Sequence, residues 1–444
     1  MSSESSSEQL RTSAYRWVIL CAGILAYGTS QFSRQNFTGI QKFIAADLHL
    51  DKGAIGLLAS VFFYSYALFQ MPWGVASDRF GSRWVIGLGI LLTAGSTLGF
   101  ATGQSETSLL LWRVAAGVAG AAVYVPLTGT IARWFPGTQR GVSQATLGGV
   151  GGSLGEGMAY FLLPVLSVYF ASGWRQGMSI VAAVVGVMGL LCVLLLRSAP
   201  ANARATTRKP FEWAMLQDVQ LWLYALLYSG FVVGIRGTQT WMAVYATDVY
   251  ISRYGMALNQ AVVAGGVLAV LAYSLVGRGL GCPLAGRISD VLARRGFSRS
   301  AVLIGWLLFA IAMLLTLSAG VSTIWTLVVL SALLGMSVNL FSLVPAAISE
   351  TYGPLRTASL SSFTNTLGQF SGATALAISG YVGVSLNSTP GNALSDYRGI
   401  WLTGAAGMSL LAVLAIGCYL ALRSGWTRFG AAPEPAVQMA ADHG

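Results

Sequence analysis

Gly74-Val-Ala-Ser-Asp78-Arg79-Phe-Gly81-Ser-Arg83 is a short polar interruption between two long apolar runs, residues 53–76 and 84–103. Each run is close to the ~20 residues that a helix needs to cross ~30 Å of hydrocarbon. Asp78, Arg79 and Arg83 are therefore expected at a membrane surface, in a tight turn. A related stretch recurs as Pro283-Leu-Ala-Gly286-Arg-Ile-Ser-Asp290-Val-Leu-Ala-Arg294-Arg295-Gly296. In both, a Pro shortly precedes a Gly, an Asp follows four residues after that Gly, and Arg and Gly come next. The two Asp stand about half the chain apart. The sequence thus reads as two similar halves, each with this turn after its second helix.

Working outward, the composition agrees. Of 444 residues, 55% are hydrophobic and 9% charged, against about 25% charged in a soluble domain. Repeated apolar runs of membrane-spanning length make this a polytopic helical membrane protein. The net charge of +11 would suggest nucleic acid in a soluble chain. Here the basic residues fall in short loops, so membrane topology accounts for them and no nucleic-acid partner is expected. Cys21, Cys192, Cys282 and Cys418 lie far apart in apolar runs, with neither disulfide nor metal spacing. His49 and His443 lie in a loop and in the tail, which excludes an intramembrane histidine relay. No nucleophile–base set, metal cluster or phosphate-cradling loop is present. An enzyme, a cofactor and nucleotide-driven transport are all disfavoured. Met1 to Glu8 is polar and lacks the basic region and small-residue site of a cleavable signal, so the first span is expected to remain.

Twelve spans are expected, at 16–38, 53–76, 84–103, 108–133, 141–168, 175–196, 219–248, 258–287, 299–319, 322–348, 355–384 and 398–422. They divide the chain into an N-terminal tail (1–15), a six-helix half (16–196), a linker (197–218), a second six-helix half (219–422) and a C-terminal tail (423–444). The linker holds Arg204, Arg208, Lys209 and Pro210; the tail holds Pro433 and Pro435. Most basic residues, Arg79, Arg83, Arg133, Arg140, Arg294 and Arg356 among them, fall on one side of this topology. Lys42, Lys52, Arg175, Arg253 and Arg398 fall on the other. The positive-inside rule then puts both termini and both Asp-containing turns in the cytoplasm of a plasma (inner) membrane. Arg133-Trp-Phe-Pro136 and Glu350-Thr-Tyr-Gly-Pro354 form matching turns before the fifth and eleventh spans. Such repeats build transporters whose halves rock about a midplane site.

Arg34, Arg113, Arg236, Arg278 and Glu156 fall inside spans. A charge there costs about 2.5–3.5 kcal/mol on insertion scales, so each should face an aqueous cavity or a partner. The cavity is net positive, and guanidinium forks match carboxylate and phosphate oxygens in pairs. A small anion is the simplest substrate. Arg34 on span one and Arg236 on span seven hold equivalent positions in the two halves, so each would grip the same anion from its own side. Glu156 has two open readings: a salt bridge, with Arg113 as the partner considered, or a proton carrier. Gln31, Asn36, Tyr64, Tyr66, Gln70, Tyr124, Gln239, Trp241, Tyr245, Asn339, Asn365 and Gln369 are candidates to complete the site. Of these, Tyr64, Gln239, Asn36 and Trp241 are ranked with the two arginines as substrate-binding.

Gly74…Asp78-Arg79…Gly81…Arg83, with its degenerate copy around Asp290, resembles the signature loop of the major facilitator superfamily of secondary transporters. The resemblance implies twelve transmembrane helices in two pseudo-symmetric halves, with Asp78, Arg79, Arg83 and Asp290 as a conformational latch. Arg34-Gln-Asn36-Phe37 and Arg236…Trp241…Tyr245 resemble the organophosphate:phosphate antiporters and the neighbouring anion:cation symporters. That likeness implies arginine ligands on spans one and seven. Arg113-Val-Ala-Ala-Gly117 resembles a motif associated with proton coupling, although Gly120 stands where the carboxylate symporters carry an acid. Gly148-Gly-Val-Gly-Gly-Ser-Leu-Gly155 is similar to a nitrate-transporter signature, but Gln70 and Cys282 occupy the positions of that family's arginines. Arg278 is one turn displaced from the second of them.

The sequence therefore points to a monomeric secondary transporter of small organic anions, carboxylates or phosphate esters, working by alternating access. Proton symport or exchange for a counter-anion is expected. The alternatives are a drug or metabolite:proton exporter, a nitrate/nitrite transporter and a transporter-like metabolite sensor.

Overall fold

The computed structural model describes residues 2–135, 143, 146–170, 173–198, 212–320, 323–352, 354–385 and 394–428. Arg140, Arg204, Arg208, Lys209, Pro210, Pro433, Pro435 and His443 lie outside the described residues.

The described chain is almost wholly helical and falls into twelve rods. In the first half these are α1 (Ser2–Leu48), α2 (Lys52–Phe80), α3 (Ser82–Thr102), α4 (Glu106–Trp134), α5 (Gly152–Tyr169) and α6 (Gly173–Leu195). A π-helical turn, Leu147–Gly151, leads into α5. In the second half, α7 is Val219–Tyr254, α9 Arg299–Ser318, α11 Pro354–Ser385 and α12 Ser395–Arg423. α8 joins Leu258–Leu268, a π-helical stretch Ala269–Gly281 and Cys282–Arg294. α10 joins Ile324–Val338 to Val344–Tyr352 through a 3-10 turn, Asn339–Leu343. Nine helices among the described residues are long and apolar enough on their own to cross a membrane. α1, α5 and α11 are the other rods, and they carry Arg34, Glu156 and a run of Ser, Thr, Asn and Gln.

α1 begins well before the expected first span. The segment read as an N-terminal tail is helical from Ser2 onward. The Asp78 turn is also tighter than the sequence suggests. Asp78 and Arg79 sit in the last turn of α2, and only Gly81 separates α2 from α3. Gly81 has φ +87°, and its N–H caps α2 on the Ser77 carbonyl. A side chain is strained in that conformation, which is why a glycine closes the motif. Arg83 anchors the turn by donating Nε to the Val193 carbonyl of α6. The side chains of Asp78 and Asp290 lie outside what the structure describes, so the latch stays a sequence expectation.

Helix pairing reveals the repeat. α1 packs on α5 as α7 does on α11, α2 on α4 as α8 on α10, and α3 on α6 as α9 on α12. Each contact in the first half returns six helices later. Among the described residues the halves meet along α2 against α11 and α5 against α8, and α1 also touches α7. Large apolar side chains such as Leu194, Trp325 and Val413 point outward and are about two-thirds to three-quarters exposed, as expected where the solvent is lipid.

Small residues set the α1–α5 spacing. A Cβ on Gly155 would fall 2.0 Å from the Gly28 carbonyl oxygen. The glycine-rich run before Glu156 therefore serves helix packing at this position. Gly155→Ala is expected to destabilise the protein by about 1–3 kcal/mol through overpacking. Thermal unfolding in detergent would read it as a lowered melting temperature.

Candidate functional site

α7 is buried on nearly every face through its middle, and so is α1 between Ser30 and Gln41. Both are central rods enclosed by neighbours. Their polar side chains must therefore bond other helices or face a cleft, since lipid is out of reach. That fixes where the intramembrane charges go.

Arg34 on α1 is 7% exposed and lies with its guanidinium 4.3 Å above the Tyr66 ring. Its Nε is buried without a hydrogen-bond partner. Three residues earlier on the same face, Gln31 has an equally unpaired Oε1. Arg236 on α7 sits 4.0 Å over the Phe63 ring, donating to the Gln239 and Gln369 amide oxygens at 2.9 Å each. Its Nε is also unpaired. The two arginines are near enough to repel each other.

From Arg236 a polar chain crosses between the halves. Gln239 accepts from Arg236 and donates to Glu156 Oε1 at 3.0 Å. Glu156 on α5 is fully buried, and its Oε2 accepts from Arg278 on α8 at 2.6 Å. Tyr160 donates to the Gln239 backbone carbonyl at 3.0 Å. Tyr27 and Tyr124 lie within the fields of both Arg34 and Arg278. Tyr228 lies near Arg236 and donates to Asn365, which itself donates to Gln70 of the other half at 2.9 Å.

The charges do not balance. Arg278 has Glu156, but Arg34 and Arg236 meet neutral amides and aromatic faces. No carboxylate among the described residues pairs with either. Each carries a buried, unpaired donor that costs about 1–3 kcal/mol, more for a charged group. An anion between them would supply the missing acceptors.

The expected partnership of Arg113 with Glu156 is corrected. Arg113 donates Nε to the Leu58 carbonyl at 3.0 Å and lies between the Phe37 and Phe62 rings, 4.9 and 4.6 Å away. It sits on α4 facing α1 and α2, whereas Glu156 faces α8. Gln239 enters the polar chain. Asn36 is buried beside Arg34 in sequence. Tyr64 instead lies in the α2–α11 seam, bonded to Thr374 at 2.8 Å and near the Phe370 ring. Trp241 is fully buried, with its indole N–H on Ser379 at 3.1 Å, among packing contacts of α7 with α11. Arg79 is exposed at the end of α2, over the Phe80 ring.

The sequence reading passed over Tyr27, Tyr228, Tyr160 and Tyr273. A signal existed for the first two. Tyr27 stands two helical turns before Arg34, and Tyr228 about two turns before Arg236, so each shares a face with its arginine. The reading also passed over an inter-half ion pair near the α1–α2 turn. Lys42 Nζ meets Asp248 Oδ1 and Oδ2 at 2.6 and 2.7 Å, and Tyr397 donates to the same carboxylate at 2.5 Å. Nearby, Lys52 bonds Asp396 at 2.6 Å.

A family model described as "Major Facilitator Superfamily" matches residues 23–375. The chain belongs to this superfamily. As a facilitator it is a multi-pass membrane transport protein. It is 24% identical to the probable galactarate/D-glucarate transporter GudP of Bacillus subtilis (strain 168), over 84% of this chain and 86% of that protein. It is 26% identical to a probable hexose phosphate transport protein of Chlamydia pneumoniae, over 42% of this chain and 41% of that protein. In structure the facilitator resembles a bacterial homolog of the human lysosomal transporter Spinster, solved inward-facing and unoccupied. The TM-score is 0.72 at 19% identity, covering 92% of this chain and 97% of that one; this likeness concerns the fold.

Proposed function

We propose that this facilitator is a secondary active transporter of small organic anions, carboxylates or phosphate esters, working by alternating access. The observation that carries this reading is the unneutralised pair Arg34 and Arg236, on matched helices of the two halves. The similarity to proteins named for galactarate, D-glucarate and hexose phosphate points to the same chemistry. Arg34 and Arg236 bind the anionic group, Gln239 holds Arg236 in place, and Asn36, Tyr64 and Trp241 shape the surroundings. Uptake is driven by proton symport or anion exchange. The protein works as a monomer in the plasma (inner) membrane, both termini cytoplasmic and residues 197–218 linking the halves. In that orientation the Lys42–Asp248 pair closes the outer end.

Ligand-dependent thermal stability of the purified protein tests this. The panel is D-glucarate, galactarate, glucose 6-phosphate, inorganic phosphate, nitrate, neutral sugars and a lipophilic cation. A ligand that binds only the folded state at ~100 times its Kd adds about 2.7 kcal/mol. Stabilisation confined to the organic anions is expected. Stabilisation by the cation alone would overturn the reading in favour of an exporter, and stabilisation by nitrate alone in favour of a nitrate transporter.

A further inference from the structure

At the end of the second half away from Lys42 and Asp248, four helices leave a hollow of about 380 Å³. Its walls are the first turns of α7 and α9 and the last turns of α10 and α12. Two arginines line it, Arg299 of α9 and Arg423 of α12, against one carboxylate, Glu350 of α10. That carboxylate is already engaged, accepting from Arg299 Nε at 2.8 Å. Arg423 lies over the Tyr419 ring at 5.3 Å, and no carboxylate among the described residues pairs with it. The next acid along the wall, Asp218, caps α7 by accepting from Gln220 N–H at 2.8 Å and also accepts from the Tyr352 hydroxyl at 2.6 Å. The hollow therefore carries a net positive charge. Ser298 adds a hydroxyl at its edge, bonded to the Tyr419 hydroxyl at 3.3 Å.

The mouth of the hollow is apolar. Phe297 precedes Ser298, Leu420 and Trp426 flank Arg423, and all three are exposed. Backbone bonds hold Trp426 there. Its N–H donates to the Ala421 carbonyl at 3.0 Å, and Val219 N–H donates to the Thr427 carbonyl at 3.1 Å, so the chain beyond α12 folds back onto the start of α7. Tryptophan beside arginine at the end of a span marks the headgroup level of a bilayer. From this rim an outward apolar stripe runs along α12 through Leu420, Val413 and Leu410.

We infer that this hollow binds the phosphate of an anionic phospholipid, with its acyl chains laid along α12. Guanidinium forks pair with phosphate oxygens, and basic pockets between helices at the cytoplasmic surface take lipid headgroups. A free phosphate ester offers the same oxygens, but it has no use for an apolar rim or for the stripe beyond it. In the orientation proposed above, this end faces the cytoplasmic leaflet, where anionic lipids give the surface its negative potential. Every lining side chain belongs to the second half. The lipid thus braces α7, α9, α10 and α12 as one unit and makes no contact between the halves. It stabilises the fold without favouring either access state, since a ligand shifts an equilibrium only by its differential affinity.

The test is the melting temperature of the purified protein in neutral detergent, titrated with phosphatidylglycerol, phosphatidylcholine or soluble glycerol phosphate. Phosphatidylglycerol is expected to stabilise the wild type well beyond phosphatidylcholine. Arg423→Gln, at an exposed position in the last turn of α12, should raise the phosphatidylglycerol concentration required by about fivefold, equivalent to ~1 kcal/mol for one basic residue. Adding Arg299→Gln should remove the preference for the anionic lipid. Arg34→Ala should keep the full lipid effect, and this separates the hollow from the central arginines. A lipid effect with these properties stands even where no anion of the earlier panel binds. Glycerol phosphate that stabilises Arg34→Ala as strongly as the lipid does, with loss in Arg423→Gln, would overturn the lipid assignment in favour of a soluble phosphate ester. Equal stabilisation by the two lipids, or an undiminished phosphatidylglycerol effect in the double variant, would overturn the site itself.

Discussion

Arg34→Ala and Arg236→Ala are each expected to abolish measurable anion uptake and to weaken anion binding by roughly 10- to 100-fold, with expression retained. A hydrogen bond to a charged group is worth about 1.5–3 kcal/mol, and every 1.4 kcal/mol is tenfold in affinity. Both guanidiniums have an unpaired buried Nε and no carboxylate partner among the described residues. Neither therefore holds the fold together through an ion pair, and removing one should spare stability while emptying half the clamp. Arg→Lys at either position keeps the charge but loses the planar fork, so an intermediate loss is expected. Binding and uptake measured on the four variants, against melting temperature, separate the two effects. Uptake that survives Arg34→Ala unchanged would count decisively against two arginines sharing one ligand.

The second large effect belongs to the α1–α2 end of the bundle. Asp248→Asn is expected to shift the protein toward a state open at the α1–α2 end by about 100-fold, on the order of 3 kcal/mol. Asp248 is buried at 6% exposure and accepts from Lys42 of the opposite half and from Tyr397 of its own. The Lys42 contact exists only while the halves are closed there, so its energy enters the conformational equilibrium directly. The figure stays at the low end for a buried pair because Lys42 retains 23% exposure. A cysteine at Thr38, buried just below this pair, should react faster with a membrane-impermeant maleimide in the Asp248→Asn background. Equal labelling rates in both backgrounds would show that the ion pair does not set access.

The fold was legible in the sequence because lipid imposes strong, local rules. Apolar runs of membrane length, a repeated Pro–Gly–Asp–Arg turn and a biased distribution of Arg and Lys need no knowledge of tertiary contacts to be read. Arg34, Arg236, Arg278 and Glu156 stood out for the same reason: a charge inside a span is costly wherever it faces.

Pairing was another matter. Sequence fixes a residue's height on its helix and its face only relative to other residues of that helix. It leaves open which neighbour that face meets. Arg113 and Glu156, on consecutive spans, were the nearest candidates by order along the chain. Tertiary packing turned Arg113 onto the Phe37 and Phe62 rings and brought Glu156 to Arg278, 122 residues away. For Tyr64 and Trp241 likewise, packing chose the partners, Thr374 and Ser379 of α11. Lys42 read as part of an outer segment and Asp248 as the end of a span, and only the approach of the two halves joined them. The sequence by itself determined a two-fold repeated membrane transporter with a positive interior. Only the tertiary structure decided which of those charges meet an opposite charge and which have no carboxylate partner among the described residues, because rotation of each helix and the approach of the two halves are set by packing between segments far apart in the chain.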